Sequence, residues 1–564
     1  MRNIGILAAA IAAVGSAASA QDTAERGPAA VDEARLLAAN AEPGNWLSYG
    51  RTYDEQRYSP LDQVTTGNIG ELGLAWFADI PLNRGQESTP IVVDGVIYLS
   101  SSWSNVFAYD AATGEQLWRY DPEVPREWAI NVCCGMVNRG VAAWNGRIYV
   151  GTLDGRLVAI DAATGEEVWD VYTIDRNQRY STTGAVRVVK GRVLVGNSGG
   201  EFGVRGYVSA YDAETGELIS ADAFAPVNWA SHVDLATGRP VENLEARYDD
   251  TGQIAFVTPT GRGAHNWQPM SFNPNTGLVY FGSRHSMSAY LADPDFTPTS
   301  IGTNTGTFRA FSPEQRAEVT AREDALFADR GALLGWDPVA RGPAWRYVDP
   351  RQTGNGGTLS TAGNLVFAGG GEGQFFAYRA DGGERLWTFD AHTGVAAGPV
   401  SYEVDGEQYI AVAAGRGLQP YYQPNYARLL AFKLGGARQL PDPVEYVAPA
   451  LDPPPSTASA DVIAHGADRY GQICVQCHNN RLGTFPDLRR SVALADAVLF
   501  DAIVLDGALA ANGMASFAEA LTPEDATAVR EYVITLAIEA KAAEDAEQAA
   551  AAAQAAEDAE PHED

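Results

Sequence analysis

The sequence predicts an all-β propeller of four-stranded blades followed by a small all-α domain. Two observations carry that expectation. The first is a repeat. Ala108-Tyr109-Asp110-Ala111-Ala112-Thr113-Gly114-Glu115-Gln116-Leu117-Trp118 returns as Ala159 to Trp169 and again as Ala210 to Ser220, with Asp110, Asp161 and Asp212 spaced 51 residues apart. The second is Cys474-Val475-Gln476-Cys477-His478, set in a segment of helical pattern. Two thiols three positions apart can add to the two vinyl groups of a haem, and the next His can take an axial iron position.

Each repeat copy follows a strand pair such as Gly146 to Gly151, a turn, and then Arg156 to Asp161. Four short strands every ~40–50 residues make a propeller blade. In the Asp-x-x-Thr-Gly turn the Asp side chain accepts backbone N–H groups ahead of it and Gly takes the positive φ. The Trp after the turn has a large apolar face to bury against a neighbouring unit. Weaker copies run from Gly335 to Trp345 and from Ala377 to Trp387.

The propeller is expected over 40–440. A Pro/Ala/Ser-rich linker over 441–460 includes Asp452-Pro453-Pro454-Pro455-Ser456 and reads as extended. Residues 461–540 have the size of a cytochrome c domain, with Ala464 to Tyr470 on a helix leading into the haem motif. Met514, in Asn512-Gly513-Met514-Ala515, is placed to be the sixth iron ligand. Thr522-Pro523-Glu524-Asp525 starts the last helix, with Thr522 as N-cap and Asp525 completing a capping-box pattern. The acidic Ala/Glu/Asp-rich run 541–564 is either a helix extension or solvated chain.

Residues 1–20 read as a secretory signal peptide: Met1-Arg2-Asn3, an apolar run from Ile4 to Val14, and Ala18-Ser19-Ala20. The apolar run is shorter than the ~20 residues a membrane span needs. Export to a periplasm is expected, a compartment that permits disulfides and fits covalent haem. The net charge of −31 argues against nucleic acid and anionic membrane surfaces as partners. It suits a basic soluble electron-transfer partner, and it also suits solubility alone.

The two remaining cysteines are adjacent, Cys133-Cys134. Joining neighbours closes a small strained ring, and strained exposed disulfides tend to be the functional ones. Other chemistry is sparse. His232, His265 and His285 are too isolated for a zinc-like cluster. Gly369-Gly370-Gly371 reads as a turn between strands.

The repeats, the vicinal cysteines and the C-terminal haem segment together resemble the quinohaemoprotein alcohol dehydrogenases. Those are periplasmic enzymes of the methanol/ethanol dehydrogenase group that use pyrroloquinoline quinone (PQQ) and calcium on an eight-bladed propeller. The resemblance runs from about Asn45 to Ala540. It is densest in Gln86 to Gly95, Val132 to Gly140, Thr183 to Lys190 and Gly196 to Gly203. It implies that Glu87 and Thr183 bind PQQ carboxylates or carbonyls and that Arg139 hydrogen-bonds the quinone edge. It further implies that Cys133-Cys134 forms a disulfide ring lying flat on one PQQ face, and that Gly199 and Gly200 admit the cofactor by backbone approach. Asn355 matches another PQQ contact, although Gly354 stands where the family has Trp. Glu201 is implied as a calcium ligand, Cys474 and Cys477 as the covalent haem attachments, and His478 and Met514 as the axial pair. Calcium is a hard cation suited to carboxylate and carbonyl oxygens and able to polarise a quinone carbonyl. The implied partners are a small alcohol substrate and a soluble periplasmic electron acceptor such as a cytochrome or copper protein.

One departure is consequential. After Gly216 the chain runs straight into a segment that in the family lies one to two blades further on. The skipped part is where the family keeps a second calcium ligand, the Trp on the other PQQ face, the catalytic Asp and a basic PQQ contact. The join falls inside a repeat, as a deletion between two equivalent turns would. Six or seven blades are therefore expected, and the catalytic base is unassigned. Asp249, Asp250, Asp293 and Asp295 lie in irregular stretches, but nothing singles one out. Two readings stand: a PQQ- and calcium-dependent alcohol dehydrogenase passing electrons to an internal haem c, or a non-catalytic relative serving as haem c carrier or propeller scaffold. Trp267, in His265-Asn266-Trp267-Gln268-Pro269-Met270, reads equally as blade packing or as pocket lining.

Overall fold

The repeated turns fold as their chemistry requires. Asp110 Oδ1 accepts from the backbone N–H of Ala112 and Thr113 at 3.0 and 2.8 Å, and Asp161 Oδ1 accepts from Ala163 and Thr164 at 2.9 Å each. Gly114 and Gly165 then take φ of +75° and +76°. These glycines have a second reason to lack a Cβ, because an indole lies on each. A Cβ on Gly114 would stand 2.4 Å from Trp76, on Gly165 2.8 Å from Trp118, and on Gly383 2.4 Å from Trp345. Each indole N–H donates to a carbonyl of the same turn: Trp76 to Ala111, Trp118 to Ala162 and Trp345 to Ala380, at 2.9–3.1 Å. The Trp that ends one blade is thus the dock for the next.

The computed structural model describes residues 26–81, 84–132, 135–173, 176, 180–195, 210–211, 218–220, 222–237, 239–248, 252–261, 263–297, 306–307, 311–326, 331–348, 356–415, 425–445, 447–475, 477–478 and 485–558. Among them the propeller is built of antiparallel meanders. One sheet holds Ile91–Val93, Val96–Ser100, Val106–Asp110 and Gln116–Tyr120 in that order. The next holds Ala142–Trp144, Arg147–Gly151, Arg156–Asp161 and Glu167–Tyr172. After two hairpins (Arg187–Val189 with Arg192–Leu194, and Ala210–Tyr211 with Leu218–Ser220) and the pairs spanning 230–290, four-stranded order resumes. It resumes with Ser271–Asn273, Leu278–Arg284, Gly331–Asp337 and Gly342–Val348. Thr358–Thr361, Leu365–Gly369, Gln374–Arg379 and Arg385–Asp390 follow, with Tyr58–Ser59 added in parallel at the inner edge.

Closure joins the two ends of the propeller. Leu72–Asp79 pairs with Arg428–Leu434, which continues to Glu407–Ala414 and Val400–Val404. This sheet and its neighbours hold the largest buried cluster, including Phe367, Phe375, Ile410, Leu430 and Phe432. The strands alternate too little to face water on one side, as expected of sheets covered on both faces.

The C-terminal domain rests on a helix crossing. The helix Ala460–Arg469, capped by Ser459, packs on the helix Pro523–Asp558. A Cβ on Gly466 would fall 1.9 Å from the Ala528 carbonyl, so only Gly allows this approach. Tyr470 and Tyr532 meet edge to face at 5.4 Å beside it. The expected capping box forms: the Thr522 N–H donates to Asp525 Oδ2 at 2.9 Å, and the Asp525 N–H to Thr522 Oγ1 at 3.1 Å. The acidic run continues that helix to Asp558.

Gly165→Ala tests the docking. At φ +76° with an indole 2.8 Å away, the methyl should cost about 1–3 kcal/mol from overpacking together with left-handed strain. Gly95→Ala, at φ +81° with nothing within 4 Å, should cost less. Urea unfolding of the two variants gives the comparison, and equal costs would mean the indole contact adds nothing.

Candidate functional site

Among the described residues, the short approaches that precede several of the innermost strands are bonded to one another. The Thr89 N–H donates to the Arg139 carbonyl and the Arg139 N–H to the Thr183 carbonyl, both at 3.1 Å. On the far side the Thr358 N–H donates to Pro269 O at 2.8 Å and the Gly357 N–H to Ala396 O at 3.1 Å. Glu87, Arg139, Thr183 and Trp267 stand three or four residues before the strands that begin at Ile91, Ala142, Arg187 and Ser271. Blade geometry therefore delivers one side chain from each of several blades to the same level.

There the side chains meet. Arg139 Nη1 donates to Thr183 Oγ1 at 2.8 Å, and Arg139 Nη2 lies 2.9 Å from Glu87 Oε2. The guanidinium also covers the Trp267 ring at 4.8 Å. Glu87 is wholly buried, and its close pairing with Arg139 is too poorly aligned to satisfy either carboxyl oxygen as a hydrogen bond. Burial pushes the Glu87 carboxyl above the ordinary carboxylate range, with the Arg139 charge opposing. Arg139 Nε, Thr182 Oγ1 and Trp267 Nε1 are buried in the same neighbourhood without hydrogen-bond partners. Buried polar groups are normally satisfied, so such a concentration marks a place for a polar ligand.

Cys133, Cys134, Gly199, Gly200, Glu201 and Asn355 lie outside the described residues. Val132 and Met136, which flank the cysteine pair, are buried against Trp103. Among the described residues no three His, Cys, Asp or Glu side chains converge as a metal site.

The second centre lies in the C-terminal domain. The N–H groups of Cys477 and His478 donate to the Cys474 carbonyl at 3.1 and 2.9 Å, which folds the motif into one turn. Tyr470 Oη bonds the His478 carbonyl. His478 Nδ1 and the Pro486 carbonyl are 3.0 Å apart, which fixes the ring and leaves Nε2 for a metal. Burial lowers the His478 pKa, which favours the neutral imidazole that a metal ligand requires. The same apolar setting pushes the thiols of Cys474 and Cys477 up to about 12 and about 11. Met514 packs on the cluster that contains Cys474, Phe500 and Val529.

A cluster of Glu87, Arg139, Thr183 and Trp267 drawn from the approaches to four sheets, in a chain that also carries a Cys-x-x-Cys-His turn in a helical domain, fits a quinoprotein propeller joined to a c-type cytochrome. The comparisons agree. The family described as "Glucose/ethanol/alcohol dehydrogenase, beta-propeller domain" matches residues 46–293 and 343–410. The family described as "Cytochrome C oxidase, cbb3-type, subunit III" matches residues 461–533. Quinohemoprotein alcohol dehydrogenase ADH IIB of Pseudomonas putida is 37% identical over 671 residues, covering 90% of this chain and 95% of that protein. The dehydrogenase subunit of the alcohol dehydrogenase (quinone) of Komagataeibacter europaeus is 33% identical, covering 95% of each. The structure of ADHIIG from Pseudomonas putida HK5 superposes with a TM-score of 0.82 at 35% identity, covering 91% of this chain and 98% of that one. This chain belongs to the PQQ-dependent quinohaemoprotein alcohol dehydrogenase family, whose cofactors are PQQ and haem c.

The alignment with ADH IIB spans 671 positions yet uses 90% of a 564-residue chain, so roughly 160 positions of the relative have no counterpart here.

The residues present fit both groups. A planar polyanionic quinone needs cationic and N–H donors at its edge and flat walls on its faces, and Arg139, Thr182, Thr183 and Trp267 supply them. Trp267 packs its ring against the Arg139 guanidinium. Thr182 was not legible beforehand, although it adjoins Thr183 in the same approach. Arg139→Ala should cost about 3–5 kcal/mol, because it leaves Glu87 buried without its counter-charge. Adding Glu87→Gln should recover much of that loss. The pH dependence follows from the raised Glu87 pKa. The folded protein holds that proton to higher pH than the unfolded chain does. Its contribution is therefore full below the ordinary carboxyl range and is lost as pH rises through the raised value. Urea midpoints measured against pH should fall less steeply in Glu87→Gln than in the parent, and parallel curves would refute the burial argument.

Proposed function

We propose that this protein is a periplasmic, PQQ- and calcium-dependent alcohol dehydrogenase that delivers electrons to its own haem c and then to a soluble acceptor. The observation that carries the reading is the cluster of Glu87, Arg139, Thr183 and Trp267 with its partnerless buried atoms. PQQ, when bound, supplies a quinone that accepts two electrons and releases them singly. Arg139 anchors an acceptor oxygen at the quinone edge while Thr183 holds the guanidinium in place. Glu87, whose carboxyl pKa burial raises against the Arg139 charge, binds a PQQ carboxylate or carbonyl. Trp267 walls one face, Cys133-Cys134 the other, and Gly199, Gly200 and Asn355 complete the contacts. Glu201 contributes to calcium. Cys474 and Cys477 hold the haem, with His478 and Met514 on the iron. Export is supported by the leader read over residues 1–20, and among the described residues no helix is long and apolar enough to cross a membrane.

The shortened propeller favours slow turnover. A missing calcium ligand must be replaced by water, which orients the cation less well. A missing base removes a contribution of ~100- to 10,000-fold. The second reading, a haem c carrier or scaffold without catalysis, draws on the same shortening.

Stopped-flow mixing of the PQQ- and calcium-reconstituted protein with short alcohols tests this. Haem reduction should follow alcohol addition, at a rate depressed by that factor. Fast reduction would overturn the missing-base argument and place the role on another carboxylate. Failure of PQQ to bind would overturn the enzyme reading in favour of the carrier or scaffold.

A further inference from the structure

Both arms that present ligands to the haem iron touch the propeller, and they touch it at one place. On the Met514 side the turn Ala510–Asn512 ends at Gly513, with φ +90°. A Cβ on Gly513 would stand 3.3 Å from Trp103 Cζ2 and 3.5 Å from Met136 Cε. Arg84 Nη2 donates to the Asn512 carbonyl at 3.4 Å. On the His478 side, Phe485 joins the propeller cluster of Trp103, Val124, Ala129, Val132, Met136 and Leu153. The Phe485 ring lies 6.0 Å from the His478 ring, and the next residue, Pro486, bonds His478 Nδ1 through its carbonyl.

Trp103 is the centre of this contact and is held there at a cost. It is buried, with φ +58°, a conformation that costs a non-glycine residue about 1–3 kcal/mol and persists where surroundings enforce it. Its backbone N–H donates to the Met136 carbonyl at 2.8 Å, and the Arg126 guanidinium covers its ring at 4.3 Å, so the backbone is anchored and the indole is backed by a stacked cation.

We propose that Trp103, backed by Met136, is the positioning residue that keeps Met514 on the haem iron, so that the potential of the haem is set by docking on the propeller. Met514 sits on a loop whose neighbours Asn512 and Gly513 make contacts outside their own domain. Clamping Gly513 against Trp103 holds the loop at one distance from the His478 arm, which the same cluster holds through Phe485. Met as sixth ligand raises a c-type haem potential. Undocking frees the loop, weakens the thioether–iron bond and lowers the potential.

The test uses the full-length holoprotein and needs no alcohol. It rests on the covalent haem and on Met514 as ligand, not on turnover. The readouts are the haem midpoint potential and the weak near-infrared Met-to-iron charge-transfer band. Trp103→Ala should lose part of that band and shift the reduction equilibrium at least tenfold toward the oxidised haem, about 59 mV for one electron. Trp103→Phe, which keeps a ring in the contact, should recover most of both. An unchanged band and potential in Trp103→Ala overturns the proposal. If Trp103→Ala does not accumulate, Met136→Ala removes the same contact from the other side and is held to the same criterion. Met514→Ala identifies the source of a failure: if it too leaves band and potential unaltered, Met514 is not the ligand and the proposal falls with that assignment.

Discussion

One buried cation ties together the approaches of three blades. Arg57 has 1% of its surface exposed and no carboxylate partner. Its Nε donates to Thr358 O at 3.1 Å, Nη1 to Tyr49 O at 2.7 Å and to Thr89 Oγ1 at 3.4 Å, and Nη2 to Pro399 O at 2.6 Å. The Trp46 and Tyr49 rings flank it at 5.4 Å each. Burial lowers its pKa to about 10, so it remains charged at neutral pH. Thr89, Thr358 and Pro399 belong to the approaches of three blades, so one guanidinium fixes their spacing. Carbonyl dipoles do here what a carboxylate does elsewhere, and a rigid ring of them suits a cation that must not attract a second, mobile counter-charge. Gly398 reflects the crowding: a Cβ there would be 2.6 Å from Arg57 Nη2.

That rigidity is what allows Glu87 and Arg139 to remain imperfectly paired. In a soft site the two groups would rotate into a bidentate pair and fill their own hydrogen bonds. Here the Thr89–Arg139 and Arg139–Thr183 backbone bonds hold the approaches apart, and Thr183 Oγ1 draws one arm of the guanidinium aside. The result is a preorganised donor set with stored desolvation, the condition under which a polar cofactor binds with little rearrangement.

Legibility followed the range of the interactions. The Asp-x-x-Thr-Gly turns could be read because Asp110 and Asp161 act within three residues, and the Thr522–Asp525 box could be read for the same reason. The haem turn is equally local, since Cys474 to His478 is one contiguous string. The PQQ-side residues came from resemblance, and nothing in their local pattern would have grouped Glu87 with Arg139 and Thr183. Trp267 stayed ambiguous because its contact, Arg139, lies in another blade. Arg57 gave no signal at all. Its partners are backbone carbonyls 8, 301 and 342 residues away, and a carbonyl leaves no trace in the identity of its residue. Gly513 and Trp103 were silent for a related reason, because they become a docking pair only once the two domains are in contact.

The two centres therefore share one structural element. The segment from Arg126 to Arg139 packs on the haem loops through Trp128, Val132 and Met136, carries the vicinal cysteines in its middle, and ends at the guanidinium that meets Glu87. Any displacement of it moves the cofactor anchor and the haem dock together.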